Sequence, residues 1–95
     1  MKVSFSIPAY NEEAIIADCL KAVLAEIKRS GVDAEVVVVN NASTDKTKEI
    51  ALTFPGVRVV DEPKKGLTHA RAAGMRATSG EVIANVDSDT VLPQG

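Results

Sequence analysis

Four consecutive valines, residues 36–39, constrain the fold of this chain more than any other feature. Together with Glu35 they predict a strand, because the run is apolar, β-branched and followed by the polar pair Asn40-Asn41. Successive side chains of a strand point to opposite faces, so an unbroken apolar run indicates burial on both faces. Strands of that kind are typical of parallel sheets covered by helices.

Three further strands are predicted from the same kind of pattern. Residues 3–7 alternate apolar and polar side chains, as a half-buried strand does, and Pro8 is expected to end that strand. Residues 57–60 and 82–86 are short and mostly apolar, and they are predicted to form the third and fourth strands.

A helix is predicted between each pair of strands. Apolar residues recur on one stripe of the first and third segments, as they do on a helix packed against a sheet. Polar residues that cap helix starts, and glycines that end helices, fix the limits. The predicted limits are Asn11 to Gly31, Ser43 or Asp45 to about Thr53, and Leu67 to Ser79-Gly80.

The resulting order is β-α-β-α-β-α-β, which predicts an α/β fold. Alternation of this kind implies a three-layer α/β/α arrangement with a mainly parallel sheet and right-handed crossovers. Composition excludes several other classes. A net charge of −2 argues against a protein that binds nucleic acid, and a single cysteine allows no internal disulfide. The sequence contains neither a P-loop, nor a dinucleotide-binding glycine motif, nor a serine nucleophile elbow.

Four polar segments are predicted to meet at one edge of this sheet. Ligands of open α/β sheets bind beyond the carboxyl ends of the strands. The segments that follow the four strands are residues 8–12, 40–45, 61–66 and 87–89.

The segment Asp87-Ser88-Asp89 carries the strongest chemical signal. Residues two apart on an extended chain point the same way, so both carboxylates can face one site. Two close negative charges need a counter-charge, and Mg²⁺ or Mn²⁺ prefers oxygen ligands. A solvated acidic turn is the alternative interpretation.

Three other polar residues of this edge each have two interpretations. Tyr10 is either a stacking platform for a base or a ring packed against the first helix. Asn40 either contacts the edge of a base or forms a turn, and Asp45 is a helix cap or a ligand contact. Asn41 is interpreted most simply as a turn residue.

The cations nearest the edge are Lys64, Lys65 and Arg71. Lys65 precedes a glycine that opens a helix, where phosphate is often bound. A solvated or carboxylate-paired role is the alternative for all three cations, and it is the preferred one for Lys64. His69 has no second ligand at metal-binding spacing and is expected on the surface. Cys19 lies on the apolar stripe of the first helix and is expected in the core.

Taken together, the motifs resemble family 2 glycosyltransferases of the GT-A fold. The resemblance covers essentially the whole chain, in the right order and spacing. It is carried by residues 7–13 (IPAYNEE), 38–47 (VVNNASTDKT), 65–66 (KG) with 70–74 (ARAAG), and 80–83 (GEVI) leading to 87–89 (DSD).

The resemblance implies a nucleotide-diphosphate sugar as donor and a divalent metal, Mg²⁺ or Mn²⁺, as cofactor. In the family, the tyrosine of the first loop and the residue that ends the second strand contact the base, while the acidic motif contacts ribose and metal. The donor-binding residues that this implies are Pro8, Tyr10, Asn40, Lys65, Arg71, Asp87, Ser88 and Asp89, with Asp89 and Asp87 as metal ligands. The family often has Asp at the position of Asn40 and Asn at that of Ala72, so the preferred base is left open.

The family also carries a second half that binds the acceptor and supplies a catalytic base, usually an aspartate. This sequence ends at Gly95, soon after the acidic motif, so residues 1–95 are expected to be the N-terminal part of a longer domain and inactive alone. The donor is expected to be a UDP- or GDP-sugar, and the acceptor a glycan, a lipid or a small molecule. The expected location is the cytoplasm or the cytoplasmic face of a membrane, and the exposed fourth strand is a site for self-association.

Two other functions stay open. A nucleotide-binding module without transferase activity is the main alternative. A nucleotidyltransferase is less favoured, because the glycine-rich loop expected after its first strand does not match residues 8–11.

Overall fold

A computed structural model of the chain describes residues 2–78 and 82–86. The described elements alternate between strand and helix in the predicted order. They are β1 (Lys2–Ala9), α1 (Ile16–Ser30), β2 (Asp33–Asn40), α2 (Thr47–Leu52), β3 (Val57–Asp61), α3 (Leu67–Ala77) and β4 (Val82–Asn85).

The four described strands form one parallel sheet in the order β3-β2-β1-β4. The valine run lies in β2, between β1 and β3, and all four valines are buried. The register aligns Ala9 of β1 with Asn40 of β2, and Asn40 with Asp61 of β3. The last residues of three adjacent strands therefore form one row at the carboxyl edge.

Helices cover both faces of the sheet, which confirms the α/β fold and its three layers. On one face, buried residues of α1 such as Ile16 and Leu20 pack with Ile7 of β1 and Val38 of β2. On the other face, Ala70 and Ala73 of α3 pack with Val39 and the partly buried Val60. The alternate faces of the valine run thus serve two separate cores.

The smallest residue of α3 sets how closely that helix approaches the sheet. A Cβ atom added to Gly74 would lie 2.0 Å from the Ser6 Oγ and 3.3 Å from the Val39 Cγ2. Only glycine fits at this crossing, because any larger side chain would collide with the central strand. Ser6 is itself fully buried, and its hydroxyl has no hydrogen-bond partner among the described residues.

The limits of several elements differ from the prediction, and two of them concern the segment between β1 and α1. α1 begins at Ile16 instead of just after Asn11, and β1 continues through Pro8 to Ala9. The stop at Gly31 is confirmed: its φ of 71° is left-handed, and its N–H donates to the Ile27 carbonyl. The stop predicted at Ser79-Gly80 lies outside the described residues. Within the part of the chain that the structure describes, no helix has the length and apolar character needed to cross a membrane.

Candidate nucleotide-sugar site

The order in which strands are added to the sheet reverses direction after β3. β2 and β3 follow β1 outward in one direction, and β4 returns to the opposite side of β1. In open parallel sheets this reversal opens a crevice at the carboxyl ends of the two strands, where ligands bind. The segments that follow β1 and β4 begin at Tyr10 and Val86, so these residues border the crevice.

Pro8 marks where the pairing of β1 with β4 ends. The Ser6 carbonyl accepts a hydrogen bond from the Val86 N–H, at 2.9 Å. In a parallel ladder the next bond would run from the N–H of residue 8 to the Val86 carbonyl, but proline has no N–H. The prediction that Pro8 ends the strand is therefore wrong for β1 itself, which remains paired with β2. Proline ends only the β1–β4 ladder, and its buried ring lies within the sheet.

Hydrogen bonds between residues 32 or more positions apart hold the segment after β1 against the segment after β2. The Asn11 N–H donates to the Ser43 hydroxyl at 3.0 Å, and the Asn11 Oδ1 accepts from the Thr44 N–H at 2.8 Å. The Glu12 N–H donates to the Thr47 hydroxyl at 2.8 Å. Asn11 was predicted as a helix cap, and this is wrong. It adopts a left-handed φ of 49° and bridges two loops.

Asp45 fixes the start of α2 and also reaches the first loop. Its carboxylate accepts from the Thr47 N–H at 2.9 Å, from the Thr47 hydroxyl, and from the Glu13 N–H at 3.2 Å. Desolvation raises the pKa of this carboxyl, but the bonds from Thr47 and Glu13 outweigh it and leave the pKa below its usual value. The N-cap position of α2 is Lys46 and has no side-chain cap bond, so Asp45 is not the N-cap; its carboxylate instead bonds to Thr47, the first helical residue, from one position before the cap. Ser43, the other predicted cap, instead accepts from Asn11.

Asn41 holds the third loop in place. Its side chain is buried, and its Nδ2 donates to the carbonyls of Glu62 and Lys64 at 3.2 and 2.7 Å. Its Oδ1 accepts from the Gly66 N–H at 3.0 Å. Gly66 adopts a φ of 130°, which residues with a Cβ rarely do. The interpretation of Asn41 as a simple turn residue is wrong, because its amide fastens residues 62–66 to the end of β2.

Tyr10 and Lys65, both predicted donor-binding residues, meet at this edge. The Tyr10 side chain is 41% exposed, and the Lys65 Nζ lies 4.8 Å from the centre of its ring. A cation at this distance interacts favourably with the electron-rich face of an aromatic ring. The hydrogen bonds of the Asn41 amide explain this contact, because they fix the loop that carries Lys65.

Asn40 lies in the row of strand ends and forms a hydrogen-bonded chain with two neighbours. Its Nδ2 donates to the Asp61 Oδ1 at 2.9 Å, and the Lys48 Nζ pairs with the Asp61 Oδ2 at 2.8 Å. These bonds from Lys48 and Asn40 lower the pKa of the Asp61 carboxyl below its usual value. The sequence alone predicts Asp61 only as the first residue of a loop. Its position could have been recognised, because Asp61 is the polar residue that ends the third strand, as Asn40 is the polar residue that ends the second.

Comparison with known proteins identifies the family. The model of glycosyl transferase family 2 matches residues 4–95. The chain belongs to glycosyl transferase family 2. Glycosyltransferase AglE of Haloferax volcanii is 37% identical over 92 residues, which are 92% of this chain and 30% of that protein. The chain spans between 14% and 30% of the length of three curated relatives that it matches.

Two solved structures share the fold of this family 2 chain. A mannosyltransferase from Pyrobaculum calidifontis, in complex with GDP-Man and Mn²⁺, superposes with a TM-score of 0.81 at 32% identity, over 97% of this chain and 28% of that one. Glucosyl-3-phosphoglycerate synthase from Mycobacterium tuberculosis, in complex with Mn²⁺, UDP and phosphoglyceric acid, gives 0.79 at 31% identity, over 93% and 33%. The GT-A fold implied by the sequence is therefore confirmed.

The acidic motif of this family 2 chain, Asp87-Ser88-Asp89, lies outside the described residues. Within residues 2–78 and 82–86, no three His, Cys, Asp or Glu side chains are grouped closely enough to hold a metal ion. The chemistry of the motif nevertheless fits a hard divalent cation, because carboxylate oxygens are its preferred ligands. Asp87 also directly follows Val86, which borders the crevice beside β1.

The other predicted cations are both exposed. Arg71 is exposed on α3, and Lys64 is exposed in the third loop, where its N–H donates to the Glu62 carboxylate at 3.1 Å. His69 is exposed and Cys19 is buried in the core, as predicted.

Proposed function

We propose that residues 1–95 supply the donor-binding part of a glycosyltransferase. In this proposal the enzyme transfers a sugar from a nucleotide diphosphate to an acceptor hydroxyl. The observation that carries it is the row of strand ends next to Tyr10, because one edge offers an exposed aromatic ring, hydrogen-bonding groups and the Lys65 cation. Family membership and the nucleotides bound in two similar structures support the same assignment.

The exposed ring of Tyr10 suits the base of the donor. Stacking of a base on an aromatic side chain stabilises binding by about 1–3 kcal/mol. Since the base can occupy the face that Lys65 covers in the absence of ligand, binding is expected to move the Lys65 ammonium off the ring. The displaced cation then has an anionic partner in the diphosphate, which compensates for the lost ring contact.

Asp87 and Asp89 are proposed to hold the divalent cation. When bound, the cation supplies positive charge that stabilises the leaving diphosphate. In the sequence these two carboxylates follow β4 closely, and in this proposal they supply the oxygen ligands that the cation would take. No residue of this chain is assigned as the base that would deprotonate the acceptor hydroxyl.

Calorimetric titration of the chain with UDP and with GDP, in the presence and absence of Mn²⁺, tests this proposal. We expect binding that strengthens with Mn²⁺, that falls about tenfold or more in Tyr10→Ala, and that loses its metal dependence in Asp89→Ala. Lys21→Ala changes an exposed residue of α1 on the sheet face opposite α3, and it serves as the control that leaves binding unchanged.

The outcomes separate the parts of the proposal. If neither nucleotide binds with Mn²⁺, the donor-site assignment is wrong. Binding that is equally tight without metal, and unchanged in Asp89→Ala, would retain the nucleotide site and reject the metal site. A nucleotide-binding module without transferase activity is distinguished by assaying the full-length protein with sugar donors, since it would bind them and release no sugar.

A further inference from the structure

Asn40 has both ends of its amide engaged within the protein. Its Nδ2 donates to the Asp61 Oδ1 at 2.9 Å, and its Oδ1 accepts from the Ser43 N–H at 3.3 Å. An amide held at both ends has a fixed orientation, and its nitrogen already uses one donor on a carboxylate. The main role of the Asn40 amide is therefore to orient the Asp61 carboxylate, and direct contact with a base is secondary.

Asp61 is the charged group of this row, and it keeps hydrogen-bonding capacity toward solvent. Its side chain is 56% exposed, and each oxygen accepts one described bond, from Asn40 or from Lys48. A carboxylate has about four lone-pair sites, so both oxygens can accept one more bond. The two partners lower the pKa of the Asp61 carboxyl, which is therefore ionised at neutral pH and acts only as an acceptor.

Asp61 also lies at a suitable distance from the stacking residue. The register puts Ala9, Asn40 and Asp61 side by side on three adjacent strands, and Tyr10 directly follows Ala9. Adjacent strands are about 4.8 Å apart, so about 10 Å separates the backbone at Ala9 from that at Asp61. A base beside Tyr10 can turn its hydrogen-bonding edge toward Asp61, and a purine reaches further across this gap than a pyrimidine.

We propose that Asp61, supported by Asn40 and Lys48, selects the base of the donor and favours guanine. This inference rests on the proposed function, since it concerns the base of the same nucleotide. Guanine presents two adjacent donors, N1–H and the 2-amino group, which match the two oxygens of one carboxylate. Uracil presents a single N–H between two carbonyl oxygens, so a carboxylate gains one bond there and faces a repelling oxygen.

Titration with three nucleotides tests the role of Asp61. GDP, IDP and UDP are titrated into the chain with Mn²⁺, because IDP differs from GDP only by the missing 2-amino group. Wild-type protein is expected to bind GDP at least about tenfold more tightly than IDP, as for the loss of one hydrogen bond to a charged group. UDP is expected to bind more weakly than GDP by a similar factor or more. In Asp61→Asn the difference between GDP and IDP should fall to within about twofold, since the charged acceptor is lost.

The control variant is Lys21→Ala, which changes an exposed residue of α1 on the sheet face opposite α3 and leaves Asp61 and both of its partners in place. It should retain the preference for GDP over IDP, and thermal melting should show that both variants fold. A wild-type protein that binds IDP or UDP as tightly as GDP would refute the guanine preference. An Asp61→Asn variant that weakens all three nucleotides by the same factor would also overturn the inference, since it would indicate a purely structural role. In both cases the nucleotide site stands, whereas failure of all three to bind rejects the proposed function itself.

Discussion

Gly74→Ala is the substitution whose effect on stability the structure determines most directly. In an exposed helix, replacing glycine by alanine stabilises by about 1 kcal/mol. Here the new Cβ would lie 2.0 Å from the Ser6 Oγ, where ordinary contact begins at 3.4 Å. Rotation of the hydroxyl relieves only that contact, because the Ser6 Cβ and the Val39 Cγ2 remain at 3.2 and 3.3 Å.

The collision should outweigh the gain in helix propensity. Forcing extra atoms into a packed core costs about 1–3 kcal/mol, and the contact at Gly74 is close enough for the upper end of that range. The expected net loss is about 2 kcal/mol, and a domain of this size loses about 4–8 °C in Tm for each kcal/mol. A fall in Tm of about 8–16 °C is therefore expected, against a total stability on the order of 5–15 kcal/mol.

Thermal and urea unfolding of four variants measures this effect. Met75→Ala changes the exposed neighbour of Gly74 and should leave the Tm nearly unchanged. Ser6→Ala removes a buried hydroxyl without a described partner, so alone it should be neutral or stabilising. The double variant Ser6→Ala/Gly74→Ala should recover about half or more of the loss, because the shortest contact is gone. A Gly74→Ala protein that melts at or above the wild-type temperature would refute the packing argument.

Three further predictions concern the loops and the core. Asn41→Ala should lower the free energy of unfolding by about 1–3 kcal/mol and speed hydrogen exchange at the Gly66 amide, since it leaves buried loop groups unpaired. Unchanged exchange at Gly66 would show that the Asn41 side chain does not hold this loop. The lowered pKa of Asp45 contributes stability that is present above its unfolded value of 3.8 and is lost as the pH falls through the lower folded value. Acid unfolding of Asp45→Asn should therefore show a weaker dependence on pH below about 4 than wild type, and identical slopes would count against this. Leu20→Ala removes a fully buried side chain and should cost about 2–5 kcal/mol in urea unfolding, whereas a loss below about 1 kcal/mol would show that α1 packs loosely.

Repeating patterns in the sequence were enough to predict the fold. Apolar runs and stripes depend only on neighbouring residues, and burial against the sheet follows from them directly. The valine run predicted a strand buried on both faces, and β2 packs against both layers. Gly31 ended the first helix as expected, because a left-handed residue at a helix end is a local requirement.

The helix starts and loops were predicted less well, because their polar side chains bond to distant parts of the chain. Asn11 has the composition of a helix cap, but its partner is Thr44, which lies 33 residues away in sequence. Asn41 has the composition of a turn, but it bonds to Gly66, 25 residues away. A local propensity states what a side chain can bond, and only the sheet decides which backbone group comes within reach.

The same distinction explains why the Asp61 carboxylate, at the carboxyl edge of the sheet, was not singled out from the sequence. The family often places an aspartate at the end of the second strand, and this chain has Asn40 there. Parallel pairing brings the end of the third strand alongside, so Asp61 provides a carboxylate one strand away, and the Asn40 amide orients it. In this chain a negative group therefore lies in the row of strand ends, one strand away from Asn40. Exchanging the two residues in Asn40→Asp/Asp61→Asn keeps a carboxylate in the row but moves it by one strand. We expect nucleotide binding to be kept and the preference among GDP, IDP and UDP to change, because the position of the carboxylate selects the base. An unchanged preference would mean that charge anywhere in the row is sufficient.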